Sequence, residues 1–496
     1  MALFVFGSCQ DFLDINDDPK QAQDVPANLS IPAAIGQVAG SLSGEYSIFG
    51  GMWSQHWAQN NSSSQYKSED SYAVKSADYN NEWTLLYSDA LIDLKLAKDK
   101  SEAEEDWNVH LQAEAVTAFT YQILVDLYDQ IPYTEALETS NFNPRFDDGA
   151  TIYTDLIARL DDATNKDFSA STNTFNPNDF LFGLESSPAD QAQRWVEFTN
   201  TLKLKLYLRQ LEARPAVASD GIRDMINEGT VFLSQDAAIT AFEDAASKRF
   251  PLYENDREQL NTDNNIKVSN TLAFYLETNN DPRIADFVEP NDVGNFSGII
   301  NGSYDIPTAT LSPQSISRAV VLPTQPFLFF SEEEVYFMLA EAYARVMNDL
   351  STAKLMYDAG VTAAFNRYGH DASNHIASGG AYEFPSSGDL IEDILKAIIT
   401  QKWVAYVYRG YESFLEQNRT GFPKVSTIST HPCNITYLPG DCDPSYVPGE
   451  YIISLESTLG GDILPRRLVF PDDEVNVNTN APAKVPTEVP VWWDVK

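Results

Sequence analysis

The sequence predicts a mainly α fold, a helical scaffold that carries long irregular loops and little strand. Three observations point there. Apolar residues recur three or four positions apart in several separate windows, and long polar stretches without that periodicity lie between them. With 43% hydrophobic residues over 496 positions, the chain can also bury a sizeable core.

The windows follow one another along the chain. Val116, Phe119, Ile123 and Leu127 line one helix face, Tyr153, Leu156, Ile157 and Leu160 a second, and Trp195, Phe198, Leu202 and Leu206 a third. Ser331 followed three residues on by Glu334 has the spacing of a capping box, and Val335, Met338, Leu339, Ala342 and Val346 continue behind it as an apolar stripe. A companion helix across Ala353 to Phe365 would complete a pair, and Leu395, Ile399, Trp403 and Tyr406 mark another. The polar stretches run from Ser43 to Asn81, Asp162 to Ala189, Asn261 to Pro326 and Thr420 to Val495. Loops of that length inside a compact chain usually carry function. No shift in composition divides residues 31–496, which are expected to form a single domain behind an acidic tether at 10–30.

Charge narrows the partners. Asp and Glu number 72 against 33 Lys and Arg, a formal charge of −39. Phosphate backbones would be repelled at long range, so nucleic acid is not an expected partner, whereas a neutral or cationic ligand is compatible. No run approaches the roughly 18 to 20 apolar residues of a membrane-spanning helix.

The three cysteines are placed unevenly. Cys433 and Cys442 lie in HPCNITYLPGDCDP, where four Pro and Gly residues forbid a helix; the pair closes a small disulfide loop in an oxidising compartment, or the two thiols are unrelated. A zinc site there would want four ligands, and only His431 is near. If they pair, Cys9 is left over. LFVFGSC places it behind an apolar run and small residues, the order of a bacterial lipoprotein signal, although Ala2 to Phe6 is short for one and no basic residue precedes it. Residues 1–9 thus read as the end of a truncated signal with Cys9 as the lipidated residue; the alternative is a buried cysteine behind a chance apolar start.

No chemistry of an enzyme stands out. The sequence has no Gly-x-Ser-x-Gly elbow, no His-Glu-x-x-His and no phosphate-binding glycine loop, and its five histidines are scattered. No metal or cofactor is expected. Ligand binding is the better reading. Sugars present flat C–H faces and a rim of hydroxyls, which suits aromatic rings set among Asn, Asp, Gln and Ser. Two stretches have that composition: one carries Trp53, Trp57, Tyr72 and Tyr79, the other Phe296 and Tyr304 beside Asn291, Asn295 and Asn301. Trp53 and Trp57, four apart, are equally consistent with a buried helical stripe, and the other four rings sit in loops without core periodicity.

Taken in order, the landmarks resemble the SusD-like (SusD/RagB) family of outer-membrane nutrient-binding lipoproteins. SCQDFLDINDDP resembles the family's mature start. AEAVTAFTYQILVDLYDQIPYTEAL resembles its helix ending in a Tyr-Gly-Asp-Ile-Pro-Tyr-like turn, with Asp129-Gln130 in place of Gly-Asp, and RFDDGATIYTDLIARLDDA resembles the helix that follows. RWVEFTNTLKLKLYLR, SEEEVYFMLAEAYAR, QKWVAYVYRGYESFLEQNRTGFP and RLVFPDDEVNVN match later elements, so the likeness spans Cys9 to Asn478. Physically, Ala340, Ala342 and Ala344 permit close helix approach, Arg419 is an ion-pair or backbone anchor, and Gly421-Phe422-Pro423 ends a helix. The resemblance implies tetratricopeptide-like helix pairs in an α-α superhelix, and a lipid-anchored, outward-facing protein of the outer membrane. Such a protein captures a nutrient, most often an oligosaccharide, and caps a SusC-like TonB-dependent transporter for import. Two alternatives are the same fold binding peptides and a helical-repeat scaffold binding only proteins.

Overall fold

The computed structural model describes residues 26–138, 140–171, 178–262, 264–386, 391–428 and 443–496. It is 51% helix and 6% strand, so the expected helical class holds. The longer helices are α1 (Ala27–Ser43), α2 (Glu45–Trp53), α3 (Ile92–Ala103), α4 (Trp107–Tyr128), α5 (Gly149–Thr164), α6 (Pro188–Arg209), α7 (Pro215–Asn227), α8 (Asn270–Thr278), α9 (Glu332–Ala342), α10 (Leu350–Asn366), α11 (Ile391–Ala405) and α12 (Gly410–Thr420). Consecutive helices pack as pairs, α3 on α4, α6 on α7 and α9 on α10.

Side-chain caps set several of the starts. Asp148 accepts from the N–H groups of Ala150 and Thr151 at α5, Ser187 from Asp190 at α6, Ser331 from Glu334 at α9 and Asp349 from Thr352 at α10. The capping box expected at Ser331 is only half formed. Its hydroxyl caps the helix, but the Glu334 carboxylate does not reach back; it is held by Arg409 (2.6 Å) and Lys205 (3.2 Å). At the far end of α12, Gly421 takes φ 75° and its N–H donates to the Gln417 carbonyl, a left-handed stop that glycine adopts without strain.

Helix α4 is buried on every side, from Asn108 to Tyr128, rather than along one face. The C-terminal segment closes over its end: the Leu468 N–H donates to the Leu127 carbonyl (2.8 Å), the Arg467 guanidinium donates to the Tyr128 carbonyl, and Phe470 stacks on Tyr128. Asp129, where the family turn carries glycine, has φ 75° and ψ −62°, a conformation costly for a residue with a Cβ. Its carboxylate is held there by the Trp492 N–H (2.6 Å).

Three expectations need correcting. The stretch from Ser43 to Asn81 is not a loop throughout, because α2 occupies its start. Glycines 50 and 51 let α2 press on α12: a Cβ on Gly50 would collide with the Tyr411 backbone, and one on Gly51 with the Trp57 ring. A helix buried all round shows no apolar periodicity, which hides it from a pattern search. Helix α1 likewise begins at Ala27, inside the expected tether at 10–30. Within the polar stretch from Asn261 to Pro326 lie α8 and three strands of a small antiparallel sheet. The strands are β1 (Trp57–Gln59), β2 (Ile266–Val268), β3 (Val288–Glu289) and β4 (Arg318–Ala319), in the order β1-β2-β4-β3.

The helices meet at buried charge. Lys205, Arg209, Lys402, Arg409 and Arg419 face Asp126, Glu334, Glu341, Glu412 and Glu416, every side chain at most 7% exposed. Arg419 grips Glu341 with both Nη atoms (2.6 and 2.7 Å), reaches Glu416 (2.6 Å) and donates to the Leu208 carbonyl (3.3 Å), the anchor expected of it. Arg419→Ala would take the bidentate partner from buried Glu341, leaving it Arg345 alone, and remove one of the three cations that hold Glu416. It is expected to cost about 3–5 kcal/mol, a large part of a typical fold's stability, read as a lowered denaturant midpoint.

Stability should also depend on pH in two opposed ways. Burial alone would raise the Glu334 and Glu341 carboxyls, but Arg409, Lys205 and Lys402 around the first and Arg419 and Arg345 around the second hold both at about 2. Burial instead pushes Asp70, Glu69 and Glu82 up to about 7. The first pair stabilises the fold above the unfolded carboxyl pKa of about 4.3, and that contribution disappears as pH falls towards 2. The raised group binds more protons folded than unfolded between about pH 4 and 7, so it withdraws stability as pH rises through that range. Melting temperature followed from pH 2 to 8 is expected to peak near pH 5 and fall on both sides.

Candidate functional site

The small sheet sets the site. In the β2–β4 ladder Lys267 faces Arg318, and in the β4–β3 ladder Arg318 faces Glu289, so the three side chains stand in a row on one face. Two adjacent cations would repel. Arg318 therefore pairs with Glu289 (2.5 Å), and the Lys267 ammonium donates to the carbonyls of Pro313 (3.3 Å) and Ile316 (3.2 Å).

Above this row lies a cleft of about 260 Å³. One wall is Ser62 and Asn264, tied together by Asn60, whose Nδ2 donates to the Ser62 hydroxyl (2.8 Å) and the Asn264 carbonyl (2.7 Å). The other is built from residues 290–292 and 313–316. Asn291 Nδ2 donates to the Ser315 carbonyl (2.8 Å) while its Oδ1 accepts from the N–H groups of Val293 and Asn295, and the Asp292 N–H donates to the Gln314 carbonyl (3.2 Å). Each wall is thus braced by its own amide.

What remains available is polar. Among the described residues the Asn264 amide and the Asp292 carboxylate have no protein partner, and Gln314 accepts from the Ser312 hydroxyl through Oε1, leaving Nε2 to the cleft. Amides offer donors and an acceptor, a carboxylate offers acceptors, and a hydroxyl-bearing ligand needs both. Lys267 and Arg318 balance Glu289 and Asp292, so the described residues of the cleft carry no formal net charge inside an acidic chain.

The expected aromatic platform is not at this surface. Trp53 and Trp57 are 1% and 0% exposed, and they do not share a helix: Trp53 ends α2 and Trp57 opens β1. Trp53 packs against Phe49 and Phe414 with its Nε1 donating to the Glu69 carbonyl (2.9 Å), and Trp57 lies against Tyr408. Tyr79 packs on Tyr46 and Phe49, and the buried Tyr72 hydroxyl accepts from the Ser454 N–H (3.2 Å). Rings of this size contribute most when buried, and the backbone satisfies the polar edges of Trp53 and Tyr72. Tyr304 is also buried, with the Lys67 ammonium 4.6 Å from its ring centroid, and Phe296 is half-buried on the core. These corrections share one cause: in these stretches aromatic and amide residues build the interior. Asn301 is an example, its Nδ2 donating to Asp70 (2.6 Å) and to the Trp57 carbonyl (2.9 Å).

Asn264, Gln314, Lys267 and Arg318 were not singled out by motif. Their signal was only their place in the long polar stretch from Asn261 to Pro326. Cys9, Cys433 and Cys442 lie outside the described residues. Among the described residues no helix is long and apolar enough to cross a membrane.

A family model described as "Starch-binding associating with outer membrane", SusD-like_2, matches residues 19–438. No curated protein sequence matches the chain. Among solved structures, a chitin-binding SusD homolog from Flavobacterium johnsoniae superposes with a TM-score of 0.73 at 19% identity, covering 94% of this chain and 98% of that one. A SusD homolog from Bacteroides uniformis gives 0.70 at 19% identity over 94% and 99%, and one from Bacteroides thetaiotaomicron 0.69 at 19% over 95% and 100%. With a family match over most of its length and the same fold over 94% of it, the chain belongs to the SusD-like family of binding proteins.

Proposed function

We propose that this protein is a cell-surface lipoprotein that binds a neutral oligosaccharide in the cleft over the small sheet, caps a SusC-like TonB-dependent transporter, and delivers the ligand for import. The observation that carries the reading is the cleft itself: solvent-facing amides and a carboxylate over a charge-balanced floor, braced before any ligand arrives. Family membership and the chitin-binding homologue of the same fold support a glycan over a peptide. Binding energy rather than bond chemistry is the protein's contribution, and Cys9 is the lipid attachment point.

Two tests follow from this. On a glycan array followed by calorimetry, Asn264→Ala with Gln314→Ala is expected to weaken binding at least tenfold while leaving the melting temperature within a degree or two, since both amides are exposed; Trp57→Ala should instead lower stability by about 3–5 kcal/mol, as loss of a buried tryptophan does. Binding of peptides with no response to any glycan would sink the reading. When the chain is exported behind a lipoprotein signal, Cys9→Ser should abolish metabolic incorporation of fatty acid.

A further inference from the structure

A second cleft, of about 370 Å³, opens where the C-terminal end of α8, the exposed side of α11 and the loop 447–450 converge. Its volume falls in the roughly 300 to 1,000 Å³ range of small-molecule sites. It offers no aromatic face. Tyr275 and Tyr382 lie beneath it, 9% and 3% exposed, and Gly449, at φ 88°, sets the loop on the Tyr275 ring, since a Cβ there would stand 2.7 Å from Tyr275 Cδ2. Their hydroxyls are engaged as well: Tyr382 donates to Asp281 (2.7 Å), and Gln401 Nε2 donates to the Tyr275 hydroxyl (3.1 Å).

The hydroxyl of a third tyrosine is not engaged. Tyr357, on α10, is 1% exposed, its ring packed against Phe337 and Phe384. Its hydroxyl enters no hydrogen bond among the described residues and is not sealed off by protein, so it opens into the cleft. A hydroxyl withdrawn from water in this way costs free energy unless a partner reaches it, and it can accept from a ligand's N–H.

The charges of the cleft are unequal. Glu383, Asp393 and Glu450 stand against Lys396 and Lys424, and Lys424 lies 3.9 Å from Glu392 outside the lining. None of the three carboxylates enters an ion pair among the described residues. Glu450 is half-buried, Glu383 accepts only the Gly379 N–H (2.7 Å), and Asp393 stays unpaired although Lys396 is one turn away on α11. Ala397, Val447 and Pro448 supply hydrocarbon between them. An excess of carboxylate, a buried neutral acceptor and apolar walls suit an ammonium carried on an alkyl chain. A formal charge of −39 draws such a cation towards the protein from a distance.

We infer that this cleft binds a primary alkylammonium, its hydrocarbon chain against Ala397, Val447 and Pro448, its charge answered by Glu450 and Asp393, and the Tyr357 hydroxyl accepting an N–H. The inference does not rest on the glycan reading, and either can fail alone. Two sources carry that group, a free amine and the lysine side chain of a peptide. Cadaverine and N-acetyl-lysine amide, titrated calorimetrically into the full chain at low salt, separate them; binding of either supports the inference and names the source. Choline has no N–H to donate and would need an open aromatic face, so it should bind at least tenfold more weakly. Glu450→Gln, and the surface pair Glu383→Gln with Asp393→Asn, should each weaken amine binding at least tenfold; the surface pair keeps the test valid if Glu450→Gln misfolds. Tyr357→Phe, which changes no charge, should weaken it several-fold. No binding of either amine, choline binding as tightly as they do, or amine binding that ignores these variants would overturn the inference and leave the proposed function standing.

Discussion

Ten ionised side chains hidden in the helical core are the constraint on which the rest of the structure depends. Five cations and five carboxylates are withdrawn from water together, and each costs several kcal/mol in desolvation unless its partners are in place. Their pairs tie α4, α6, α9, α11 and α12 to one another. Arg209 alone must reach Asp126, Glu412 and Glu416, on two helices remote from each other in sequence. The network therefore penalises any helix packing that would leave one of these charges buried and unpaired. It also extends to the chain's end, where the Trp493 indole N–H donates to Asp126 (2.8 Å) and draws the C-terminal segment over α4.

A scaffold held this firmly can carry irregular structure that would not be stable alone. Four strands of two or three residues do not make a sheet in isolation. Here β1 leaves directly from α2, which is pressed glycine to backbone against α12, and β2 leads directly into α8. The Asp70 carboxylate then pins the loop at 301–302 through the Asn301 amide and the Gly302 N–H, both at 2.6 Å. The geometry of the candidate cleft is thus inherited, step by step, from the helices beneath it.

This hierarchy decides what could be read from the sequence. Amphipathic helices such as α5 were plain, because Tyr153, Leu156, Ile157 and Leu160 face one core and the opposite side faces water. The family landmarks were legible for a related reason. LKLKLYLR and GYESFLEQNRTG space their charges three and four apart, and those charges, Lys205 and Arg209, Glu412, Glu416 and Arg419, are the buried network. Helix α2 was illegible because burial on all sides erases periodicity. The ligand-facing aromatics failed as a prediction for a more general reason. Composition cannot separate a ring among amides that meets solvent from one whose amide neighbours are spent on backbone groups, as Asn301 is. The residues that do line the cleft come from four segments between Ser62 and Arg318, and only the sheet register brings them together.

The acidity of the chain acquires a more definite meaning in this light. The helical network contributes five charges of each sign, and the cleft over the sheet contributes two of each, so the excess that makes up the −39 lies outside both. Part of it is on exposed carboxylates such as Glu102, Glu104 and Glu105. At a physiological screening length of about 8 Å, such charges act on what approaches the protein more than on what is already seated in the cleft. Encounter and recognition are thereby separated. The surface repels polyanions at a distance, and in the proposed function selection among neutral ligands falls to the few amides and the carboxylate that the sheet holds in place.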